Sequence, residues 1–485
     1  MTTRTRFSLK FGLAALALAT IAACGGGDDD SPEAARPQDA RTFTPVIETT
    51  FAALDGSSVE TDRWTGVLNG AAYRIEVPKS GWNGQLVMWA HGYAGTGEEL
   101  TVGTPIMRRY LLDQGYAWAA SSYSKNYYDV RVGVEDTNAL ALNFVAIAGT
   151  KGRTLTAPSK IFITGVSMGG HISAAAVEAE TQATAINKVR YNGAVPLCGV
   201  VGDTELFNYF AGYQVAAQQL ADVPMTAFPV ADFAELAPTI QAALWTTFPT
   251  VSNAQGDKLK NVVRYLSGGP RAFFDEGWAD ASHQNNIWSA LGDDGTVSGI
   301  LNDNVLDTTQ LFYKVDASSP DVTDIDTSFN AAAFQITPTD DANRQRSDGL
   351  RWIPVIHGEI DVPVVTLHTL GDLFVPFRME QVYAERTRAK GTSQWLVQRA
   401  IRDVGHCAFT AAEAQAAFAT MVAWEAGGAK PGGDDVTDPV TVAGSGFGCA
   451  YTDNTPSAED YTAPAVRAGY QAHYPACPSV IDPPR

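Results

Sequence analysis

The sequence has little positive charge and few charged residues of any kind. Only 34 of its 485 residues are Lys or Arg, against 53 Asp or Glu, and charged residues make up 18% of the chain. The resulting net charge of −19 repels the phosphate backbone of nucleic acids, so we expect no nucleic-acid partner. With 45% hydrophobic residues the composition is that of a packed globular protein, which excludes a disordered or collagen-like chain.

Long apolar runs are also scarce. The run near the N-terminus, Phe11 to Ile21, is too short for a membrane-spanning helix. It follows a basic start and ends at Ala22-Ala23-Cys24, which is the layout of an export signal with a small-residue cleavage site. The pattern resembles a bacterial lipoprotein signal, which implies removal of residues 1–23 and lipidation of Cys24. An ordinary secretory signal cleaved after Ala23 is the alternative, and both predict export.

Cysteine is the third scarce residue, with five in the chain. If Cys24 carries the lipid, an even set remains that can pair in an oxidising compartment, namely Cys198, Cys407, Cys449 and Cys477. Residues 24–42 are rich in Gly, Pro and Asp without an apolar period, so they are predicted to be a flexible tether. Gly25 rather than Asp after the lipidated cysteine favours the outer membrane, with the protein facing the periplasm or the cell surface.

From residue 43 short apolar runs alternate with helical stretches, which is typical of a mostly parallel sheet flanked by helices. The alternation stops near residue 201 and resumes near residue 355. We therefore predict an α/β domain over 43–200 and 355–430, an aromatic-rich, mainly helical insertion over 201–354 after the sixth strand, and a loop-rich tail over 431–485. The predicted strands are 64–68, 72–77, 85–90, 117–122, 160–165, 193–197, 362–369 and 394–399; the predicted helices are 98–114, 136–149, 169–184, 379–390 and 411–425.

One serine has an unusual setting. Ser167 lies in Gly165-Val166-Ser167-Met168-Gly169, between a predicted buried strand and a helix of small residues. Glycines two residues before and after remove the Cβ atoms that would clash in a sharp strand-to-helix turn, and the turn puts the hydroxyl at a helix N-terminus. This strand, turn and helix resemble the nucleophile elbow of the α/β-hydrolase superfamily.

The resemblance implies partners for Ser167 at the ends of other strands. The acid of a catalytic triad is expected after strand 362–369, where Asp372 stands, and the base after strand 394–399, where His406 stands. The segment His91-Gly92-Tyr93 follows strand 85–90 and matches the family's oxyanion loop, so the backbone N–H groups of Met168 and Tyr93 are expected to bind the oxyanion. In this mechanism no metal or cofactor is required.

Other histidines and aspartates are weaker candidates. His171 is one helical turn beyond the serine and is expected to pack or to lie on the rim, and His368 inside a buried strand is expected to be a core histidine. His91 is expected to shape the oxyanion loop. Asp361 precedes its strand and so belongs to the opposite sheet edge, whereas Asp403, three residues before the proposed base, is the serious competitor for the acid.

The cysteines are predicted to support the site. Cys198 ends the strand beside the nucleophile strand and Cys407 follows the proposed base, so a Cys198–Cys407 bond with a Cys449–Cys477 bond is the first of three pairings, and the other two stay open. The His-Cys pair is similar to one in secreted tannases and feruloyl esterases, where a second cysteine precedes the nucleophilic serine. Val166 stands there in this chain, which argues against that family and against a phenolic-ester substrate.

Together these features predict an exported, lipid-anchored serine hydrolase, most simply one that cleaves small or medium uncharged carboxylic esters. The alternatives are an amidase or peptidase of the same fold and a non-catalytic binding protein on a hydrolase scaffold. The insertion is expected to roof the serine, and four of its aromatic side chains either line a substrate pocket or form cap core: Phe207, Tyr209, Phe210 and Tyr213. Membrane contact is expected only through the lipid, and the oligomeric state is left open.

Overall fold

The computed structural model describes residue 33 and residues 35–292, 300–301 and 303–477. The predicted signal peptide 1–23, Cys24 and most of the predicted tether lie outside the described residues. The described end of that tether is packed rather than flexible: the buried Arg36 pairs with Asp129 at 2.8 Å, and the Gln38 side chain donates to the Asn126 carbonyl at 2.7 Å. The predicted tether over 24–42 is therefore too long, because these two buried side chains fix its last part.

The described residues form an eight-stranded central sheet. Its strands in chain order are β1 Thr61–Leu68, β2 Ala71–Pro78, β3 Gln85–Ala90, β4 Ala117–Ser121, β5 Lys160–Val166, β6 Gly193–Leu197, β7 Val364–Thr369 and β8 Leu396–Ile401. Their spatial order is β1-β2-β4-β3-β5-β6-β7-β8. The β1–β2 and β2–β4 pairs are antiparallel and the remaining pairs are parallel. This is the strand order of the α/β-hydrolase fold, so the predicted fold class is confirmed.

The strands form where the residue pattern predicts them. Asn69 and Gly70 both have positive φ, at 51° and 88°, which is the geometry that closes the two-residue β1–β2 hairpin. In β3 the side chains alternate, because Leu86 and Met88 join the apolar cluster on one face of the sheet while Val87 joins the cluster on the other. Both faces are thus buried, which explains the continuous apolar runs.

Helices cover both faces. Helix α1 Arg108–Asp113 and helix α12 Ala411–Glu425 contribute buried side chains to one face. Helices α2 Val130–Thr150, α3 Met168–Ala175 and α11 Arg378–Lys390 contribute to the other. Helix α4 Ala179–Thr184 follows α3, and the tail carries α13 Pro439–Val442 and α14 Pro464–Gln471. Within the described part of the chain, none of the helices combines the length and the apolar character needed to cross a bilayer.

Three predicted helices differ from the observed ones. Helix 136–149 is longer than predicted, because α2 already begins at Val130. Helix 98–114 is reduced to α1, because Glu99–Leu100 pairs as a short strand with Thr44–Pro45 and Pro105 disfavours a helical residue before it. Helix 169–184 is divided into α3 and α4. The break falls at Glu178, whose backbone is extended and whose buried carboxylate accepts hydrogen bonds from the Gly358 and Glu359 N–H groups.

The insertion, residues 201–354, folds mainly as helices. These are α5 Glu205–Leu220, α6 Phe233–Leu244, α7 Ala254–Leu266, α8 Phe274–Ala279, α9 Ala281–Ser289 and α10 Asp324–Ala332. A short antiparallel pair, Trp245–Thr247 with Val251–Ser252, lies between α6 and α7. Most of the buried aromatic side chains of the insertion belong to the same buried cluster as the α2 and α3 face of the sheet, so the insertion shares its core with the sheet.

Candidate active site

Ser167 lies in the tight turn between β5 and α3. Its φ of 56° and ψ of −120° are rarely adopted by a residue with a side chain, and its N–H donates to the Leu197 carbonyl of β6 at 3.0 Å. A Cβ on Gly165 would stand 2.5 Å from the Ala90 carbonyl oxygen, and a Cβ on Gly169 would stand 2.1 Å from the same atom. Both glycines are therefore needed for β3 to pack against the turn, which projects the serine hydroxyl beyond the carboxyl ends of the parallel strands.

Ser167, His406 and Asp372 form a hydrogen-bonded chain. The His406 Nε2 atom is 2.9 Å from the Ser167 Oγ, and the His406 Nδ1 atom is 2.6 Å from the Asp372 Oδ2. The three side chains come from the loops that follow β5, β8 and β7, respectively. This is the geometry that lets an imidazole take a proton from a serine hydroxyl while a carboxylate holds its other nitrogen.

Asp372 is held as a fixed carboxylate. It is fully buried, and its Oδ1 accepts hydrogen bonds from the N–H groups of Phe374 at 2.9 Å and Val375 at 3.0 Å. Burial alone would raise the pKa of Asp372, but the charge and hydrogen bond of His406, with the charges of His283 and His368, hold that pKa below its ordinary value. The lowered pKa keeps Asp372 in its carboxylate form, which is the form that can stabilise a protonated His406 imidazole.

The loop after β3, which contains Gly92, lies directly against the turn that carries Ser167. A Cβ on Gly92 would stand 3.2 Å from the Ser167 Cβ, so a side chain at this position would crowd the serine. The His91 ring stacks on Tyr123 at 4.1 Å, and its nitrogens lie 2.7 Å from the Gly92 carbonyl and 3.1 Å from the Ser122 carbonyl. Tyr93 follows in this loop, and Met168 begins α3, where helix N–H groups have no partner inside the helix.

The rival histidines are engaged elsewhere. His171 is buried between the Tyr128 hydroxyl at 2.9 Å and the Pro354 carbonyl at 2.7 Å. His368 is a buried strand residue whose Nε2 lies 2.8 Å from the Val375 carbonyl. Neither ring is hydrogen-bonded to Ser167 in the described part of the chain.

The rival carboxylates also lie apart from His406. Asp403 accepts hydrogen bonds from the Thr462 hydroxyl at 2.8 Å and from the Val404 N–H at 2.7 Å. Asp361 forms an exposed ion pair with Arg190 before β7, at the opposite sheet edge. The structure thus brings Asp372, and not its competitor Asp403, to the imidazole.

A disulfide bond borders the triad. Cys198 pairs with Cys407, and Cys449 pairs with Cys477, which is the first of the three predicted pairings. The Cys407 Sγ lies 3.5 Å from the His406 Nε2. Ligand atoms of Cys198, Cys407 and His406 are close enough to hold a metal ion, but both sulfurs are consumed by the disulfide, so the thiolates that bind metals are missing. The bond instead joins the end of β6 to the loop that carries His406.

Three residues of the insertion surround the acid and were not predicted. His283 on α9 has its Nε2 3.8 Å from the Asp372 Oδ1, and Gly277 on α8 contacts the Gly371 backbone. The Arg271 Nε donates to the Leu370 carbonyl at 2.7 Å. No pattern in the sequence marks these residues, because they lie in a region without the strand and helix alternation that located the triad.

The site is open to solvent on one side. Ser167 is part-exposed, and the His406 side chain keeps 19% of its surface accessible. Phe374 lies edge-on to His406 at 5.5 Å and stacks on Phe210 at 5.8 Å. All four aromatic residues considered as pocket-lining are buried, which fits the core interpretation rather than the pocket: Phe207, Tyr209, Phe210 and Tyr213.

A cavity of about 1080 Å³ lies elsewhere in the insertion. It is lined by residues such as Phe228, Phe233 and Ile336, and it contains none of the three residues of the hydrogen-bonded chain. Ser167 thus does not line this cavity.

Comparison with known proteins gives short or distant similarities. No model of a known protein family matches the chain. A stretch of 65 residues, 13% of this chain, is 34% identical to o-phthalyl amidase from Xanthobacter agilis, and it represents 14% of that protein. The chain thus spans only a small part of this curated relative.

Solved structures are similar at low identity. Feruloyl esterase B from Aspergillus oryzae is 13% identical, with 80% of this chain and 86% of that chain covered and a TM-score of 0.42. The acylaminoacyl peptidase from Pyrococcus horikoshii is 9% identical, with 71% of this chain but only 37% of that chain covered and a TM-score of 0.35. The strand order and the strained elbow are features of this chain itself.

Proposed function

We propose that the chain is a serine hydrolase that cleaves carboxylic esters through an acyl-enzyme intermediate. The observation that carries the proposal is the continuous hydrogen-bonded chain from the Ser167 Oγ through His406 to the Asp372 carboxylate. The strained elbow supports it, because residues held in sparsely populated φ and ψ regions cluster at active sites.

In the first half of the reaction Ser167 is the nucleophile. His406 Nε2 takes the hydroxyl proton as the Oγ attacks the ester carbonyl carbon, and Asp372 stabilises the imidazolium that forms. The carbonyl oxygen becomes an oxyanion, which the backbone N–H groups of Met168 and Tyr93 would bind. When the tetrahedral intermediate collapses, the alcohol leaves with the proton from His406, and the acyl group stays on the Ser167 oxygen.

In the second half water replaces the alcohol. His406 takes a proton from a water molecule, which attacks the acyl carbon, and the same N–H groups bind the second oxyanion. The Ser167 oxygen then leaves and recovers the proton from His406, which releases the carboxylic acid. The exposed edge of His406 supports this step, because water can reach the imidazole from solvent.

A fluorophosphonate probe tests this function, since it labels only a serine that a base activates. We expect the wild-type protein to be labelled on Ser167 and to hydrolyse p-nitrophenyl esters, and the Ser167→Ala variant to do neither. Ser289→Ala, which alters an exposed serine at the end of α9, is the control and should behave as wild type. An unlabelled wild-type protein would instead support a binding protein on a hydrolase scaffold.

An amidase is the second candidate. The 65-residue similarity to o-phthalyl amidase favours it, although the matched stretch is a small part of that protein. Matched ester and anilide substrates with the same acyl group separate the two functions. The proposal expects kcat/KM for the ester to exceed that for the anilide, and the reverse order would make the chain an amidase.

We also propose that the substrate is a small or medium uncharged ester, with the insertion of residues 201–354 providing part of its pocket. The acidic net charge disfavours anionic substrates, and the apolar Phe374 lies beside His406. A panel of neutral acyl chains with one succinate-type anionic ester is the test. Turnover of the anionic ester at least equal to the neutral ones would contradict this specificity.

The setting of the enzyme is proposed to be the cell envelope. Two disulfide bonds support export, because such bonds persist in oxidising compartments. We propose that Cys24 carries a lipid that holds the protein at the outer membrane. Membrane fractions should contain the wild-type protein but not the Cys24→Ala variant, whereas equal release of both into the soluble fraction would favour ordinary secretion.

A further inference from the structure

His283 of the insertion faces the proposed catalytic acid. Its side chain is nearly fully buried, with 2% of its surface accessible, and its Nε2 lies 3.8 Å from the Asp372 Oδ1. That nitrogen has no hydrogen-bond partner among the described residues. The other ring nitrogen, Nδ1, lies 3.3 Å from the Gly277 carbonyl oxygen. The imidazole therefore lies between α8 and Asp372.

The distance between His283 and Asp372 is held by backbone packing. A Cβ on Gly277 would stand 2.0 Å from the Gly371 carbonyl oxygen, so α8 is in direct contact with the turn before the acid. A Cβ on Gly371 would stand 2.9 Å from the carbonyl oxygen of Phe273, the N-cap residue of α8. The turn before the acid therefore also packs against the start of this helix. Through α8, the insertion thus helps to hold Asp372 in place, in addition to its expected position above Ser167.

Both nitrogens of His283 face oxygen atoms. A neutral ring with its proton on Nδ1 would direct the Nε2 lone pair at the Asp372 carboxylate, and one with its proton on Nε2 would direct the Nδ1 lone pair at the Gly277 carbonyl. Only the doubly protonated imidazolium presents an N–H to each oxygen.

The charged groups around His283 are of both signs. Asp280, the N-cap of α9, has its Oδ1 3.9 Å from the His283 Nδ1, and together with Asp372 it favours a cation. Burial opposes the cation, as do positive groups on the far side of the acid, where His368 lies 3.8 Å from the Asp372 Oδ2 and Arg271 donates to the Leu370 carbonyl. Both carboxylates lie within 4 Å of a ring nitrogen of His283.

We propose that His283 is a positioning residue that, as an imidazolium, orients Asp372 and moderates the negative charge that Asp372 presents to His406. This inference rests on the proposed function. It places the acid between two imidazoles: His406, hydrogen-bonded to Oδ2 at 2.6 Å, and His283, 3.8 Å from Oδ1. Movement of α8 and α9 would then change the strength of the base.

The pH profile of ester hydrolysis tests this role in His283→Gln and His283→Leu. Loss of the cation leaves more negative charge acting on the His406 imidazolium, so the acid limb of kcat/KM should move to higher pH by about 0.5 to 1 unit in both variants. We expect kcat to fall by about tenfold in His283→Leu and by less in His283→Gln, which keeps a donor, with KM within about twofold.

The matched control is His357→Gln, because His357 pairs with Glu180 away from the triad. It should leave the profile unchanged. A purely structural role for His283 would lower kcat without moving the acid limb, so an unmoved limb in both His283 variants overturns the proposal.

A second measurement does not depend on turnover. In ¹⁵N-histidine-labelled Ser167→Ala protein, the signal absent from the Ser167→Ala/His283→Gln double variant identifies His283. Protonation of both ring nitrogens at pH 7 supports the proposal, and a neutral ring at that pH contradicts it. If the wild-type protein fails to react with the fluorophosphonate, the proposed function fails, whereas this measurement still reports the charge of His283.

Discussion

Gly277 of the insertion lies directly against Gly371 of the turn that precedes the acid. Their contact is so close that a Cβ on Gly277 would stand 2.0 Å from the Gly371 carbonyl oxygen, a distance that no folded protein tolerates without movement. Because Asp372 is the next residue along the chain, the position of α8 sets the position of the acid.

The Gly277→Ala variant should therefore lose activity. The added methyl group must push α8 and the Gly371 turn apart, which we expect to lower kcat at least tenfold and to cost about 1 to 3 kcal/mol in the free energy of unfolding. Ester kinetics and chemical denaturation measure the two effects. Gly149→Ala is the matched control, since this α2 glycine has open space at its Cβ position, and it should be neutral or slightly stabilising. Equal behaviour of the two variants would show that the α8 contact is unimportant.

Replacing the acid should be far more damaging than replacing its competitor. Asp372→Asn leaves the imidazole without its counter-charge and with the wrong tautomer, so kcat should fall by about 10³- to 10⁴-fold. Asp403→Asn should keep kcat within a few-fold while lowering stability, because Asp403 binds Thr462 and lies 3.4 Å from Arg467. A larger loss of kcat in Asp403→Asn than in Asp372→Asn would reverse the assignment of the acid.

The acid limb of the pH profile should have a slope of one. The pKa of Asp372 is lowered, despite its burial, by His406 and the two other histidines, so Asp372 stays ionised at pH values where the imidazole gains its proton. Only one group then titrates on that limb, and activity is lost as the pH falls. We expect log kcat/KM to drop by one per pH unit, and a slope of two would mean that the acid is protonated in the same range.

Removal of each disulfide bond should have a different effect: loss of the first should lower activity, and loss of the second should lower stability. Cys198–Cys407 holds the His406 loop to β6, so the Cys198→Ala/Cys407→Ala variant should lose at least tenfold in kcat. The tail bond serves as the control: Cys449→Ala/Cys477→Ala should cost about 2 to 4 kcal/mol of stability, with kcat within about twofold of the wild type. Similar kcat values in both variants would remove the proposed role of the first bond.

The sheet and the serine elbow were predictable for one physical reason. Buried parallel strands require continuous apolar runs, and a sharp turn beside a strand requires small residues, so the strands and the Ser167 elbow leave a pattern in the sequence itself. The acid and the base follow from the resemblance to the α/β-hydrolase elbow, which implies partners for the serine after later strands, at Asp372 and His406. The structure places these two beside the serine.

The insertion was predictable only in outline. Its helices have no fixed relation to the strands, so the sequence does not indicate which of them reaches the acid. His283 lies in a polar helical stretch, Asp280-Ala281-Ser282-His283-Gln284, which resembles any exposed helix, yet its side chain is buried against Asp372. Local pairings also override helix patterns, as at Glu99–Leu100, where a short strand replaces the predicted start of α1.

The central claim is that Ser167 carries the acyl group during turnover. Acid quenching of the protein during steady-state hydrolysis of a p-nitrophenyl ester, followed by peptide mass spectrometry, tests it most directly. We predict an acyl adduct on the peptide containing Ser167, formed in a burst that matches the enzyme concentration and absent from Ser167→Ala. Wild-type rates of ester hydrolysis by Ser167→Ala, with no adduct on that peptide in either protein, would contradict the account.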